Sequence, residues 1–206
     1  MNPQSCSRPS PKHEQHTFHD GKKPPFNGPL IINSLQAPFN TVIGLTHCPG
    51  RCSKNTGLKT WDRSLIQDFK SIEAWGADIL ITLNQTSEFD QLGVPEFPNI
   101  VKRQKFRWYH LPIDDFSAPG EEFTKAWNLF GAEILEYIEN GSRIVLHCAA
   151  GLGRSGTFAA KLLTTYGWGP IEAINLVRKT RPGAIERKEQ ERYIIDKSSL
   201  KTHSDV

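Results

Sequence analysis

Ile144-Val145-Leu146-His147-Cys148-Ala149-Ala150-Gly151-Leu152-Gly153-Arg154-Ser155-Gly156-Thr157 is the stretch on which the fold turns. Apolar residues run up to His147 as a short strand over Arg143 to His147. A turn of seven residues then begins at Cys148 and closes at Arg154, and a helix is expected from Arg154 to about Tyr166. Such a turn aims successive backbone N–H groups inward, and the helix start adds the positive end of its dipole. Gly151 and Gly153 are expected to supply backbone angles that other residues resist. Arg154 carries a planar fork able to hold two oxygens of a tetrahedral anion. The stretch predicts an anion cradle built mainly from main chain, with Ala149, Ala150, Gly151, Leu152, Gly153 and Arg154 as its donors.

Outward from this loop the pattern alternates between strands and helices. Pro29 to Ile32 and Thr41 to Leu45 read as strands, with His47-Cys48-Pro49-Gly50 as the loop after the second. Asp62 to Gly76 reads as a helix with Leu65, Ile66, Phe69, Ile72 and Trp75 on its apolar face, stopped by Gly76. The apolar run Asp78 to Leu83 suits a buried strand. A short helical stretch is expected over Val94 to Arg103, a strand over Phe106 to Leu111, and a long amphipathic helix over Glu121 to Asn140. Pro170 to Arg178 and Lys188 to Leu200 read as two more helices. Strands alternating with helices imply a single α/β domain whose central, mostly parallel sheet is flanked by helices. Residues 1–25, rich in Ser, Pro, His and Lys, read as a flexible tail before a domain spanning 26–206.

The 206 residues suffice for one well-buried domain. A net charge of +3 marks no nucleic-acid binder, yet it suits a site that receives anions. No apolar run approaches the roughly 20 residues of a membrane span. The N-terminus lacks the apolar core of a secretory signal, so the expected location is the cytoplasm and the expected state a monomer. The four cysteines, Cys6, Cys48, Cys52 and Cys148, are too few for a disulfide scaffold of this length.

Among them Cys148 is placed for chemistry, because a sulfur at the base of an electropositive nest is favoured as the nucleophilic thiolate. Ser155 can donate a hydrogen bond to that sulfur, whereas His147 is expected to fix loop geometry rather than act as a base. A thiolate attacking a phosphate ester expels an oxyanion that needs a proton. Asp114 and Asp115 are the candidate acids, and as chain neighbours their side chains should diverge so that one faces the anion. His47-Cys48-x3-Cys52 lacks the second pair of a zinc site. It reads as structural, with a disulfide to Cys148 under oxidation as another use. No metal and no cofactor is called for.

The run from His147 to Ser155 resembles the His-Cys-x5-Arg-Ser/Thr signature of the protein tyrosine and dual-specificity phosphatase superfamily. Ile43 to Gly50, His110-Leu111-Pro112-Ile113-Asp114-Asp115, and Arg181-Pro182-Gly183-Ala184-Ile185-Glu186 followed by Gln190 are similar to its compact dual-specificity branch. The nearest type is the kinase-associated phosphatase group and its bacterial relatives. The resemblance covers residues 30 to 200 and implies the cysteine-phosphatase fold and hydrolysis of phosphomonoesters through phosphocysteine without metal. It favours Asp115 over Asp114 as the acid and assigns Gln190 to orienting the hydrolytic water. A phosphorylated protein is the expected substrate, because Ala149, Ala150 and Leu152 replace the lysines that lipid phosphatases of this kind carry in the loop. The rival readings are a phosphoprotein-binding module without turnover, a phosphatase of lipids or nucleotides, and sulfur-transfer or arsenate chemistry on a similar cradle.

Overall fold

In the computed structural model, which describes residues 27–52 and 61–196, the seven-residue turn lies at the carboxyl edge of a five-stranded sheet. The strands are β1 (Asn33–Gln36), β2 (Val42–His47), β3 (Ile79–Thr82), β4 (Arg107–His110) and β5 (Arg143–Cys148). They are ordered β1-β2-β5-β3-β4, with β1 antiparallel to β2 and every other pair parallel. The expected single α/β domain with a mostly parallel sheet is therefore what forms. The register sets His47 beside Cys148 and Thr82 between His147 and His110. The chemistry thus gathers where the parallel strands end.

Among the described residues seven helices cover the sheet: α1 (Leu65–Trp75), α2 (Glu88–Gln91), α3 (Phe97–Val101), α4 (Glu121–Glu139), α5 (Gly153–Thr165), α6 (Pro170–Thr180) and α7 (Lys188–Ile195). Strand side chains alternate between faces. Ile43, Leu45, Ile79, Ile81, Ile144 and Leu146 pack under Phe123, Trp127, Phe158 and Ile174, from α4, α5 and α6. Leu80 and Val145 face the other way, onto Phe69, Ile72, Phe89 and Phe97 from α1, α2 and α3. Burial on both faces explains why these strands read as continuous apolar runs.

Several boundaries differ from the sequence expectation for identifiable reasons. The first strand is Asn33–Gln36 rather than Pro29 to Ile32, because a tight turn over Pro38–Asn40 folds it directly onto Val42 to Leu45. Ile66, placed on the apolar face of α1, is 48% exposed, while the charged Asp68 is buried. That carboxylate accepts from the Gly50 amide at 2.8 Å and pairs with Arg63 at 2.7 Å, tying the Pro49-Gly50 turn to α1. The expected helix over Val94 to Arg103 shortens to α3, and α2 is a separate turn ahead of it. The tail over residues 1–25 and the expected end of α7 beyond residue 196 lie outside the described residues.

Candidate active site

Cys148 ends β5 and is 3% exposed. The Gly151 amide donates to its sulfur at 3.2 Å, and Ser155 Oγ lies 3.6 Å from the same atom. The amide is held in that direction by its own peptide plane. Arg51 Nη1 donates to the Ala149 carbonyl at 2.9 Å. Arg181 donates to the Ala150 carbonyl at 3.1 Å and to the Gly151 carbonyl at 2.8 Å. Because a trans peptide directs its N–H opposite to its C=O, these grips turn the amides of Ala150, Gly151 and Leu152 away from the two arginines and into the loop. The α5 N-terminus follows at once, with Leu152 as its cap residue and Gly153 as its first member.

The two glycines have different reasons for being there. Gly151 sits at φ +73°, and a Cβ on it would overlap the Thr46 carbonyl. Gly153 does not need a left-handed angle. It is required for space, since a Cβ there would come within 2.7 Å of Glu186 Oε2 and 2.9 Å of Gln190 Nε2. The expectation of special angles holds for the first and is corrected for the second.

Arg154 is 1% exposed, and its fork is engaged on two sides. Nη1 donates to Glu88 Oε1 at 2.5 Å and to the Ile113 carbonyl at 3.0 Å, while Nη2 donates to Glu88 Oε2 at 2.9 Å. Nη2 also lies 2.9 Å from Asp115 Oδ1. Burial works against the charged guanidinium. The Glu88 hydrogen bonds and the proximity of Cys148, Glu88 and Asp115 outweigh it and hold the Arg154 pKa above its usual value. Burial likewise pushes the Glu88 carboxyl up, but Arg154, the Gln85 amide and Asn84 bring it below the ordinary carboxylate range.

The neighbouring acids diverge. Asp115 turns to Arg154, with its side chain 51% exposed, whereas Asp114 Oδ1 accepts from Gln85 Nε2 at 2.9 Å. Gln190 is fully buried next to Gly153. Its Oε1 accepts from the Glu186 and Arg187 amides at 3.0 and 3.2 Å, and its Nε2 donates to the Ser117 carbonyl at 3.1 Å. His147 is fully buried, and burial pushes its pKa down to about 3. Its Nε2 is 2.7 Å from Thr82 Oγ1, and the same oxygen accepts from Trp108 Nε1 at 2.9 Å. A neutral ring in that setting braces β5 against β3. Cys48 is a free, fully buried thiol, and burial pushes its pKa well up. Cys52 lies on an isolated bridge to Asp62.

The structure thus brings Cys148, Ser155, Arg154, Asp115 and Gln190 around one loop. Sequence reasoning missed Glu88, Thr82 and Arg51, and it left Arg181 outside the catalytic set, as a residue shaping the floor of the cleft or pairing with acids. The signal nearest to hand was the Arg181-Pro182-Gly183 run already set apart in the sequence, although the carbonyls that Arg181 holds are brought to it only by folding.

A buried sulfur under inward amides, with an arginine closing the loop and a helix behind it, defines a cysteine-dependent phosphatase of the protein tyrosine and dual-specificity class. The chain belongs to the family described as "Tc-R-P: Polymorphic toxin system, DSP-PTPase phosphatase", whose profile matches residues 56–168, loop included. Mouse cyclin-dependent kinase inhibitor 3 is 26% identical over 154 residues, covering 74% of this chain and 69% of the relative. The tyrosine-protein phosphatase CDC14 of Saccharomyces cerevisiae is 30% identical over 142 residues, 65% of this chain and 23% of that one. In fold, the chain is similar to a crystal structure of kinase associated phosphatase whose catalytic cysteine is replaced by serine. The TM-score is 0.69 at 24% identity, with 81% of this chain and 93% of the other covered.

Proposed function

We propose that this phosphatase hydrolyses phosphomonoesters on proteins through a phosphocysteine intermediate, in a reducing, cytoplasmic setting. The Cys148 thiolate attacks phosphorus in line as the P–O bond to the leaving group breaks, and Asp115 delivers its proton to the departing oxygen. The amides of Ala149 to Gly153 and the Arg154 fork hold the three non-bridging oxygens. In the second step Asp115, now a carboxylate, takes a proton from water as the water oxygen attacks phosphorus. The P–S bond breaks, Ser155 stabilises the returning thiolate, and inorganic phosphate leaves. Gln190 orients that water.

The observation that carries this reading is the setting of Cys148 Sγ, which accepts from Gly151 N at 3.2 Å and lies 3.6 Å from Ser155 Oγ, inside the loop that Arg154 closes. A phosphoprotein is favoured over a polyphosphorylated lipid because Ala149, Ala150 and Leu152 add no cation to the cradle. The test is hydrolysis of an aryl phosphate in EDTA by the wild type and by Cys148→Ser, followed by phosphopeptides. Activity that survives EDTA and disappears in the variant is expected. A variant as active as the wild type would refute the assignment of Cys148.

A further inference from the structure

The residue after Asp115 is held in an unusual shape. Phe116 adopts φ +60°, a left-handed conformation that glycine enters freely and a bulky aromatic does not. The side chain is 43% exposed, so burial does not account for the pose. What the ring does meet is Arg187, whose guanidinium carbon stands 4.5 Å from the ring centroid. The main chain around it is equally engaged. The Phe116 amide donates to Asp115 Oδ1 at 3.0 Å, the same oxygen that faces Arg154 Nη2 at 2.9 Å. One residue further on, the Ser117 carbonyl accepts from Gln190, and Gln190 in turn accepts from the Arg187 amide. Arg187 therefore grips this segment twice, through its side chain on Phe116 and through Gln190 on Ser117.

We infer that Arg187 is a positioning residue for the general acid: by clamping the Phe116 ring it fixes the left-handed turn that aims Asp115 at the leaving-group oxygen. Arg187 touches no reacting atom in this scheme. Its contribution is to reduce the number of places the Asp115 carboxyl can occupy. Backbone strain persists only where surrounding contacts over-determine it, and here those contacts converge on the acid. The inference rests on the reading of Asp115 as proton donor, and it concerns only the step in which that proton moves.

The signature of such a role is dependence on the leaving group. A phenolate of low pKa departs without help, whereas a poor leaving group needs the proton. The experiment measures kcat/KM for aryl phosphates whose phenols span a wide range of acidity, in the wild type, Arg187→Met, Arg187→Lys, Phe116→Gly and Asp115→Asn. Arg187→Met should steepen the dependence, losing about tenfold more on phenyl phosphate than on the most activated ester. Arg187→Lys, which keeps a cation over the ring, should recover part of the loss. Arg187→Met added to Asp115→Asn should steepen it no further.

Arg187 is also the cap residue ahead of α7, so Phe116→Gly serves as the variant that cannot be dismissed as misfolded. Glycine suits φ +60°, so its melting temperature should not fall, yet its dependence should steepen as in Arg187→Met. A wild-type slope in Arg187→Met or Phe116→Gly, with a steepened one in Asp115→Asn, would overturn the inference. A wild-type slope in Asp115→Asn would instead remove the assignment of the acid, and the inference with it.

Discussion

Arg154 and Glu88 meet fork to fork, Nη1 to Oε1 at 2.5 Å and Nη2 to Oε2 at 2.9 Å, across 66 residues of chain. The pairing determines which way the only arginine of the loop presents its remaining donors. Replacing Glu88 with alanine leaves a buried guanidinium short of its partner and free to rotate. We expect kcat/KM for an aryl phosphate to fall about 10²-fold and stability to fall by about 3–5 kcal/mol. Steady-state kinetics and a urea melt check this, with Glu88→Gln giving a smaller loss in both.

The two adjacent acids should separate cleanly. Asp115→Asn should lower kcat/KM on phosphotyrosine by about 10²-fold or more. Asp114→Asn should stay within a few-fold, since its partner is Gln85, which an asparagine can still meet. Equal losses in parallel assays would mean that the acid is misassigned.

Gly151→Ala and Gly153→Ala should fail in different ways. At position 151 the methyl group meets main chain and the angle is left-handed, so a stability loss of about 1–3 kcal/mol or more is expected. At position 153 the methyl group meets the side-chain ends of Glu186 and Gln190. Activity should therefore drop well before the melting temperature does. Thermal melts beside turnover assays distinguish the two.

Stability should depend on pH through His147 and Glu88, on different limbs. The buried His147 has a folded-state pKa of about 3, against about 6.5 unfolded. The unfolded chain then binds the extra proton between those values. The contribution is full above pH of about 6.5 and is lost progressively as pH falls toward about 3. His47, whose pKa burial also lowers, acts in the same direction. Glu88 contributes above its unfolded pKa, and its share is lost in acid as pH falls through the depressed folded value. His147→Asn should flatten the fall between about pH 6.5 and 4, and Glu88→Gln should flatten the more acidic limb, both followed by urea midpoints across pH.

What was legible in the sequence is what lies close together along it. The sulfur, the loop amides, the arginine and the serine fall within residues 148–155, so spacing alone announces the cradle. The sheet was legible because both its faces are buried, and Ile79 to Thr82 and Ile144 to Leu146 show it as apolar runs. What was not legible are partners that folding brings from afar. Thr82 meets His147 across 65 residues, and Arg181 meets Gly151 across 30. No local pattern distinguishes Glu88 from a solvated acid, and α2, which carries it, is too short to show a period. Asp68 misleads in the opposite sense, as a charge on the buried side of α1 that its ties to Gly50 and Arg63 explain.

The contact between Asp115 and Arg154 means that the cradle already has a tenant. An arriving phosphate does not meet an idle guanidinium; it must share Nη2 with a carboxylate of the protein's own. The affinity of any anion for this site is consequently set against that contact, and Asp115→Asn, which removes the competing charge, is expected to bind phosphate more tightly while turning over more slowly.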